Sequence, residues 1–341
     1  MRDWQRLCQA ATQTFMRRAF LLITILTIAL LIFSLAAILI GSEKLPLLAA
    51  LSALVGNDTL DAQQAAILWE IRLPRVLLGA SVGAALAMAG ASYQAILRNP
   101  LAEPYLLGVS NGAAVGTMLA LAFFGNLILM RPVLAFVGAI LATFVVYSLA
   151  RSGGETSAEK LILSGVIVTT FLSSAIVLIT TLIDAARLRT FTFWLLGDLS
   201  GASKNAFWIA LAAVIAGFII LSATARSLNL MMIGERDAFD FGVEVARVRL
   251  IVFLTAGALV GTSVAASGSV GYVGLVVPHW IRLGFGSDNR VLLPSAALAG
   301  ASFVVVADTI ARTIIAPREL PVGAITALIG APLFVYLLRK N

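Results

Sequence analysis

The chain has 341 residues, 60% of them hydrophobic and only 12% charged, with a mean hydropathy of +1.00. A soluble domain of this length carries roughly a quarter charged residues, so a soluble globular protein is excluded. The net charge of +7 does not mark a nucleic-acid binder either, because the basic residues sit in short segments between apolar runs and form no patch.

Apolar runs of about 20 residues, long enough to cross a hydrocarbon core of about 30 Å, recur along the whole length. Continuous runs also exclude a transmembrane barrel, whose strands alternate. The first run, 19–40, follows the basic flank "MRDWQRLCQAATQTFMRR". Its apolar core is longer than that of a signal peptide, so it reads as a retained first span. Further spans are predicted at 76–97, 106–125, 132–150, 160–183, 205–225, 248–267, 272–286, 291–311 and 321–338. The eighth is short and interrupted by Pro278 and His279. The expected fold is an all-α polytopic membrane protein of about ten helices, one domain over 1–341. An even count puts both termini on one side. The cytoplasm is the expected side, because it then receives most of the 24 Lys and Arg, including Arg2, Arg6, Arg339 and Lys340.

Two spans are dense in small residues, "GASVGAALAMAG" (79–90) and "GALVGTSVAASGSVG" (257–271). Each holds a Gly-x-x-x-Gly, Gly79/Gly83 and Gly257/Gly261, which allows close backbone approach in lipid. Both lead into a polar break, and in this topology they run in opposite directions. That pattern predicts an inverted repeat, spans 2–5 answering spans 7–10, as in many transporters.

Polar stretches then mark where chemistry or contact is expected. "WEIRLPR", with Arg72 and Arg75 around Pro74, reads as an outward loop. "RNPLAEPYLLGVSNG" (98–112) interrupts two apolar runs. "RSLNLMMIGERDAFDFGVEVARVR" (226–249) reads as one or two short amphipathic helices on the cytoplasmic face. In "VVADTIARTIIAPRELPVG", Asp308 and Arg312 are four apart and share a helix face, where they are placed to pair. His279, after Pro278, is expected to bond to backbone carbonyls that the proline frees.

The chain has one cysteine, Cys8, and one histidine, His279, so neither an internal disulfide nor a Cys/His metal cluster is possible. It has no Gly-x-x-x-x-Gly-Lys-Ser/Thr phosphate loop. An intramembrane protease would have to use His279 with Ser267 or Ser269. A secondary transporter would want carboxylates inside spans, and only Asp308 approaches that. Both are weaker readings than a permease without bond chemistry of its own.

The stretches "RLPRVLLGASVGAALAMAGASYQAILRNPLAEPYLLGVSNGA", "GSVGYVGLVVPHWIRL" and "ELPVGAITALIGAPLFVYLLRK" resemble the FecCD family of permeases over about residues 20–340. These are membrane subunits of binding-protein-dependent ABC importers for ferric siderophores, haem and vitamin B12. The text is nearest to the vitamin B12 permeases, with haem permeases sharing much of it. The resemblance implies a pair of permeases in the bacterial or archaeal cytoplasmic membrane, the second copy identical or related. It implies two ATP-binding subunits carrying ATP and Mg, an extracytoplasmic substrate-binding protein, and no cofactor on this chain. Import of an oxyanion of the molybdate type is the alternative cargo. The resemblance also carries roles to residues. Asn99 and Leu101 would form a cytoplasmic gate. Arg72, Arg75 and Arg312 would be exposed guanidiniums receiving an acidic binding protein. Gly234, Glu235, Ala238, Gly242 and Val243 of the 226–249 coupling helices would seat in the ATPase. A second gate element, just before span five, matches imperfectly at Ser157, Ala158 and Glu159.

Overall fold

The computed structural model describes the chain except residues 1, 42, 44, 58, 125, 126, 128, 152–155 and 341, and the side chains of 2–15 and 337–340. The side chains of Cys8, Arg2, Arg6, Arg339 and Lys340 therefore lie outside the described residues.

Among the described residues, seven helical segments are long and apolar enough to cross a bilayer. They are α1 (Arg2–Leu39, apolar from Met16), α3 (Ala62–Ala66) continuing through a π-turn (Ile67–Arg72) into α4 (Leu73–Ile96), α6 (Met130–Ala150), α7 (Ala158–Thr180), α9 (Lys204–Ile233), α11 (Val245–Ser267) and α13 (Asn289–Thr313). Three shorter apolar helices complete the set: α5 (Val109–Phe123), α12 (Val273–Phe285) and α14 (Val322–Lys340). Together they answer the ten expected spans one for one. Three short helices lie between them, α2 (Leu47–Leu54), α8 (Ala185–Leu195) and α10 (Glu235–Asp240).

Two boundaries differ from expectation. Arg72 and Arg75, expected in a loop, lie on a continuous helix. A proline disfavours a helix interior, because its ring clashes with the carbonyl four residues back and it lacks an N–H. The π-turn widens the backbone ladder immediately before Pro74, and the helix passes through. The 226–249 connection is also shorter than expected. Residues 226–233 continue α9 and 245–249 begin α11, leaving one short helix, α10, between.

The packing follows an inverted repeat. α4 lies against α13, and its counterpart α11 lies against α6; α4 and α11 touch each other at the centre. α5 packs on α6 as α12 packs on α13. In lipid there is no water to expel between helices, so small residues and close contact hold the pairs together. A methyl group on Gly83 would sit 2.1 Å from the Gly300 carbonyl oxygen, and one on Gly90 would sit 1.9 Å from that of Gly274. Gly257 and Gly261 pack on Thr143 and Ala139 of α6. α4 is consequently buried on nearly every side from Leu78 to Ile96.

Candidate functional site

Three polar constellations stand out from this apolar bundle. The first joins α1, α4 and α13. Arg72 donates to the carbonyls of Ile38 (2.9 Å), Leu39 (3.0 Å) and Glu43. Ile38 and Leu39 belong to the last turn of α1, whose final carbonyls have no helical donor. A side chain on Gly41 would collide with the Arg72 guanidinium, so the absence of one there makes the room. Arg75 forks onto Asp308 at 2.9–3.1 Å and onto Glu319 at 2.9 and 3.1 Å. Arg312 lies 3.8 Å from Asp308, as the four-residue spacing predicts, and donates to the Ala37 carbonyl. Arg72, Arg75 and Arg312 are 3%, 6% and 6% exposed. The expectation of exposed guanidiniums is therefore corrected: all three are buried against acceptors the chain itself supplies, with Arg312 Nε left without a hydrogen bond among the described residues.

The second constellation is the pair of helix breaks. α4 ends at Leu97 in a left-handed Arg98 (φ 48). The Asn99 side-chain oxygen then accepts from the Leu101 backbone N–H at 2.9 Å, a local turn that exposes Leu101. The chain re-enters helix through a 3-10 turn (Pro104–Leu107) and Gly108. That insert meets the second break, 268–272. Glu103 accepts from the Tyr272 N–H at 3.0 Å, capping the start of α12. The Tyr105 hydroxyl donates to the Val270 carbonyl and accepts from its N–H, both at 2.9 Å. The two breaks thus satisfy each other's backbone, as irregular chain among buried helices must.

Pro278 leaves the Gly274 carbonyl, four residues back, without its helical donor. The Gln94 amide of α4 supplies one, with contacts of 3.3 Å to Gly274 and 3.4 Å to Leu275, while its carbonyl oxygen accepts from Arg282. His279 does not serve that carbonyl, contrary to expectation; its ring stands edge-on to Phe334 at 6.0 Å.

The third constellation is at the connection between α9 and α11. Gly234 ends α9 in extended backbone and Gly242 ends the α10 turn at φ 81. Ala238 is fully buried against the bundle and Val243 is half-buried, its N–H bonded to the Ala238 carbonyl at 2.9 Å. Phe239 and Phe241 point the other way, 71% and 75% exposed. Glu235 lies 2.5 Å from Arg249 and 3.6 Å from Arg98. Ser157 caps α7 by accepting from the Lys160 N–H at 3.3 Å, and its hydroxyl lies 3.2 Å from Glu159; Ala158 is buried.

Near the end of α9 the Asn229 amide donates to Asp288 at 2.7 Å, and its oxygen accepts from the Asn289 backbone at 2.8 Å. Hydrogen bonds from Arg290 above all, then from Asn229, hold the Asp288 carboxyl at about 2. A depressed carboxylate pKa contributes stability above its unfolded value of about 3.9, which is lost as pH falls through the folded value. The unfolding temperature of the detergent-solubilised protein is therefore expected to drop between about pH 4 and pH 2, and Asp288→Asn to flatten that drop; equal profiles would exclude the carboxylate as its source.

A ten-span helical bundle with two mutually capped helix breaks has the architecture of a membrane transport permease. The chain belongs to the FecCD transport family, whose model matches residues 26–340. It is similar to the cobalamin import system permease BtuC of Halobacterium salinarum, 44% identical over 275 residues, 81% of this chain and 74% of that protein. It is also similar to the hemin transport system permease HmuU of Yersinia pestis, 37% identical over 321 residues, 93% of this chain and 96% of that one. A solved structure described as an inward-facing conformation of a metal-chelate type ABC transporter superposes with a TM-score of 0.83 at 32% identity, covering 94% of this chain and 99% of that one.

Of the residues expected to act, Asn99 and Leu101 share one turn, and the five coupling residues share one short connection. Phe239, Arg98 and Arg249 were not singled out from the sequence. The two exposed phenylalanines in a charged loop are a signal that could have marked the connection as a contact face.

Proposed function

We propose that the chain is one of two permease subunits in a cytoplasmic-membrane ABC importer for a bulky metal chelate: vitamin B12, haem or a ferric siderophore. Both termini face the cytoplasm in this reading. Two ATP-binding subunits, carrying ATP and Mg, dock on the connection Gly234, Glu235, Ala238, Gly242 and Val243. A substrate-binding protein caps the opposite face, over the region that Arg72, Arg75 and Arg312 brace from within. ATP-driven movement of α10 opens and closes the turn at Asn99 and Leu101. The chain itself makes and breaks no bonds.

The observation that carries this reading is near full-length likeness to import permeases, 93% of this chain against hemin permease HmuU. The tight interior favours a pathway between two copies. Cavities of about 120 and 170 Å³ at its surface are smaller than the roughly 300 Å³ at which drug-sized ligands begin to fit. A second copy, by symmetry, encloses a larger space.

The test is ATP-dependent uptake by cells with and without the chain, offered labelled cobalamin, haem and a ferric siderophore separately. Loss of one cargo is the expected result and names the substrate. Unchanged uptake of all three would reject the chelate reading and turn attention to oxyanions such as molybdate.

A further inference from the structure

We infer that Arg98 and Arg249 are positioning residues that transmit the movement of α10 to the cytoplasmic gate through the single carboxylate of Glu235. This rests on α10 being the ATPase contact and on Asn99 and Leu101 being the gate.

The mechanical argument begins with what holds α10. Asn229 pins the end of α9 to the start of α13 five residues before Gly234. Movement imposed on α10 is therefore confined to the chain after Gly234. At its far end Gly242, in left-handed backbone with open space around its Cα, allows the chain to swivel. Between these points Ala238 is a small apolar anchor, and Glu235 carries the ionic contacts that leave the element.

Those contacts reach two places at once. Arg249, 2% exposed, lies 2.5 Å from Glu235 and donates to the Thr156 carbonyl. Thr156 immediately precedes Ser157, the cap of α7, where the imperfect second gate element begins. Arg98, 3.6 Å from the same carboxylate oxygen, immediately precedes Asn99. Its left-handed backbone (φ 48) is costly for a residue with a side chain, which needs support from its surroundings. One carboxylate thus sits between two cations, each adjoining a different break in the chain. It holds Arg249 at contact distance and Arg98 about an ångström beyond. A small displacement of α10 changes that balance, and both arginines respond because they share one acceptor.

A plain surface salt bridge predicts little from losing Arg98, whose side chain is 44% exposed. Transmission predicts a specific failure. The transporter is purified from its native membrane with its ATP-binding subunits, in a Cys8→Ser, Leu101→Cys background so that the gate carries the only thiol. Maleimide labelling at that thiol is compared without nucleotide and with Mg–ATP plus vanadate. With Arg98 intact, labelling is expected to change at least about fivefold between the two states, the lower end of ordinary coupling energies. With Arg98→Gln the ATP-binding subunits remain bound and hydrolyse ATP, and the labelling ratio falls to about one. Arg98→Lys, which keeps the cation, restores most of the ratio. A wild-type ratio in Arg98→Gln would overturn the transmission role while leaving the gate and docking assignments intact. A ratio of one with Arg98 intact, or absence of ATP-binding subunits from the purified protein, would overturn the functional reading and this inference with it.

Discussion

Arg75→Ala is expected to cost about 3–5 kcal/mol of stability, because it leaves Asp308, 2% exposed, without the guanidinium that holds both its oxygens. Arg312, at 3.8 Å, is too far to replace a forked contact. The comparison is Lys204→Ala. Lys204 and Glu70 approach to 2.6 Å, closer than Arg75 and Asp308, yet their side chains are 57% and 61% exposed. Exposed pairs contribute about 0–1 kcal/mol whatever their length. Unfolding temperatures of the two variants in the same detergent decide the matter. Equal shifts would mean that burial adds nothing to the Arg75 cluster. Arg75→Glu, which brings a third carboxylate to Asp308 and Glu319, is expected not to accumulate in the membrane at all. A transport defect in that variant would then report a missing permease and say nothing about docking.

Phe239→Ser with Phe241→Ser is expected to have the opposite profile. Both rings are more than two-thirds exposed, so their removal uncovers no core and should leave the unfolding temperature within about 0.5 kcal/mol equivalent of wild type. Binding of the ATP-binding subunits should weaken by at least about 30-fold, the loss of one aromatic anchor of about 2 kcal/mol. Co-purification at increasing detergent dilution measures it. Replacing 234–243 by a flexible linker should give the same release, with Ala238 lost as well. Full retention of the ATP-binding subunits by the double serine variant would move the docking face elsewhere on the chain.

The expected spans emerged as helices because apolar length is a local property, readable without knowing what each run packs on. The shortness of the eighth span was legible, and Gly286 ends α12 (Val273–Phe285), but the interruption expected at Pro278 and His279 is absent: the helix runs through both. The Asp308–Arg312 pair was legible from helical spacing. What escaped was long-range. Asp308 meets Arg75 across 233 positions, and no periodicity points from one to the other. The acceptors of Arg72 are backbone carbonyls at the end of α1, which have no sequence signature at all. A physical warning was available, since an arginine near apolar spans must find partners. The expected outward loop is instead a helix, kept continuous by the π-turn before Pro74. Likewise the orphan carbonyl of Gly274 follows from Pro278 alone, but its donor, Gln94, does not. The roles given to Asn99, Leu101 and the 234–243 connection came from family likeness, and the geometry around them adds Arg98 and Arg249 to the experiments.

The amide that Gln94 lends to α12 also sets the kinematics of the chain. Drawing α4 away from α12 would strip the Gly274 carbonyl of the Gln94 donor, and would open the backbone contact at Gly90 as well. α4 and α12 therefore travel as a single rigid block, with α13 attached through Gly83 and Gly300. Hinges belong at that block's border. α7 lies outside that block: its one narrow buried stripe, Ala158, Leu161, Gly165 and Val168, belongs to a helix that packs on α5, α6 and the 3-10 turn Pro104–Leu107. An opening motion would therefore be expected to leave the α4–α12–α13 frame intact and to fall on helices outside it, such as α7.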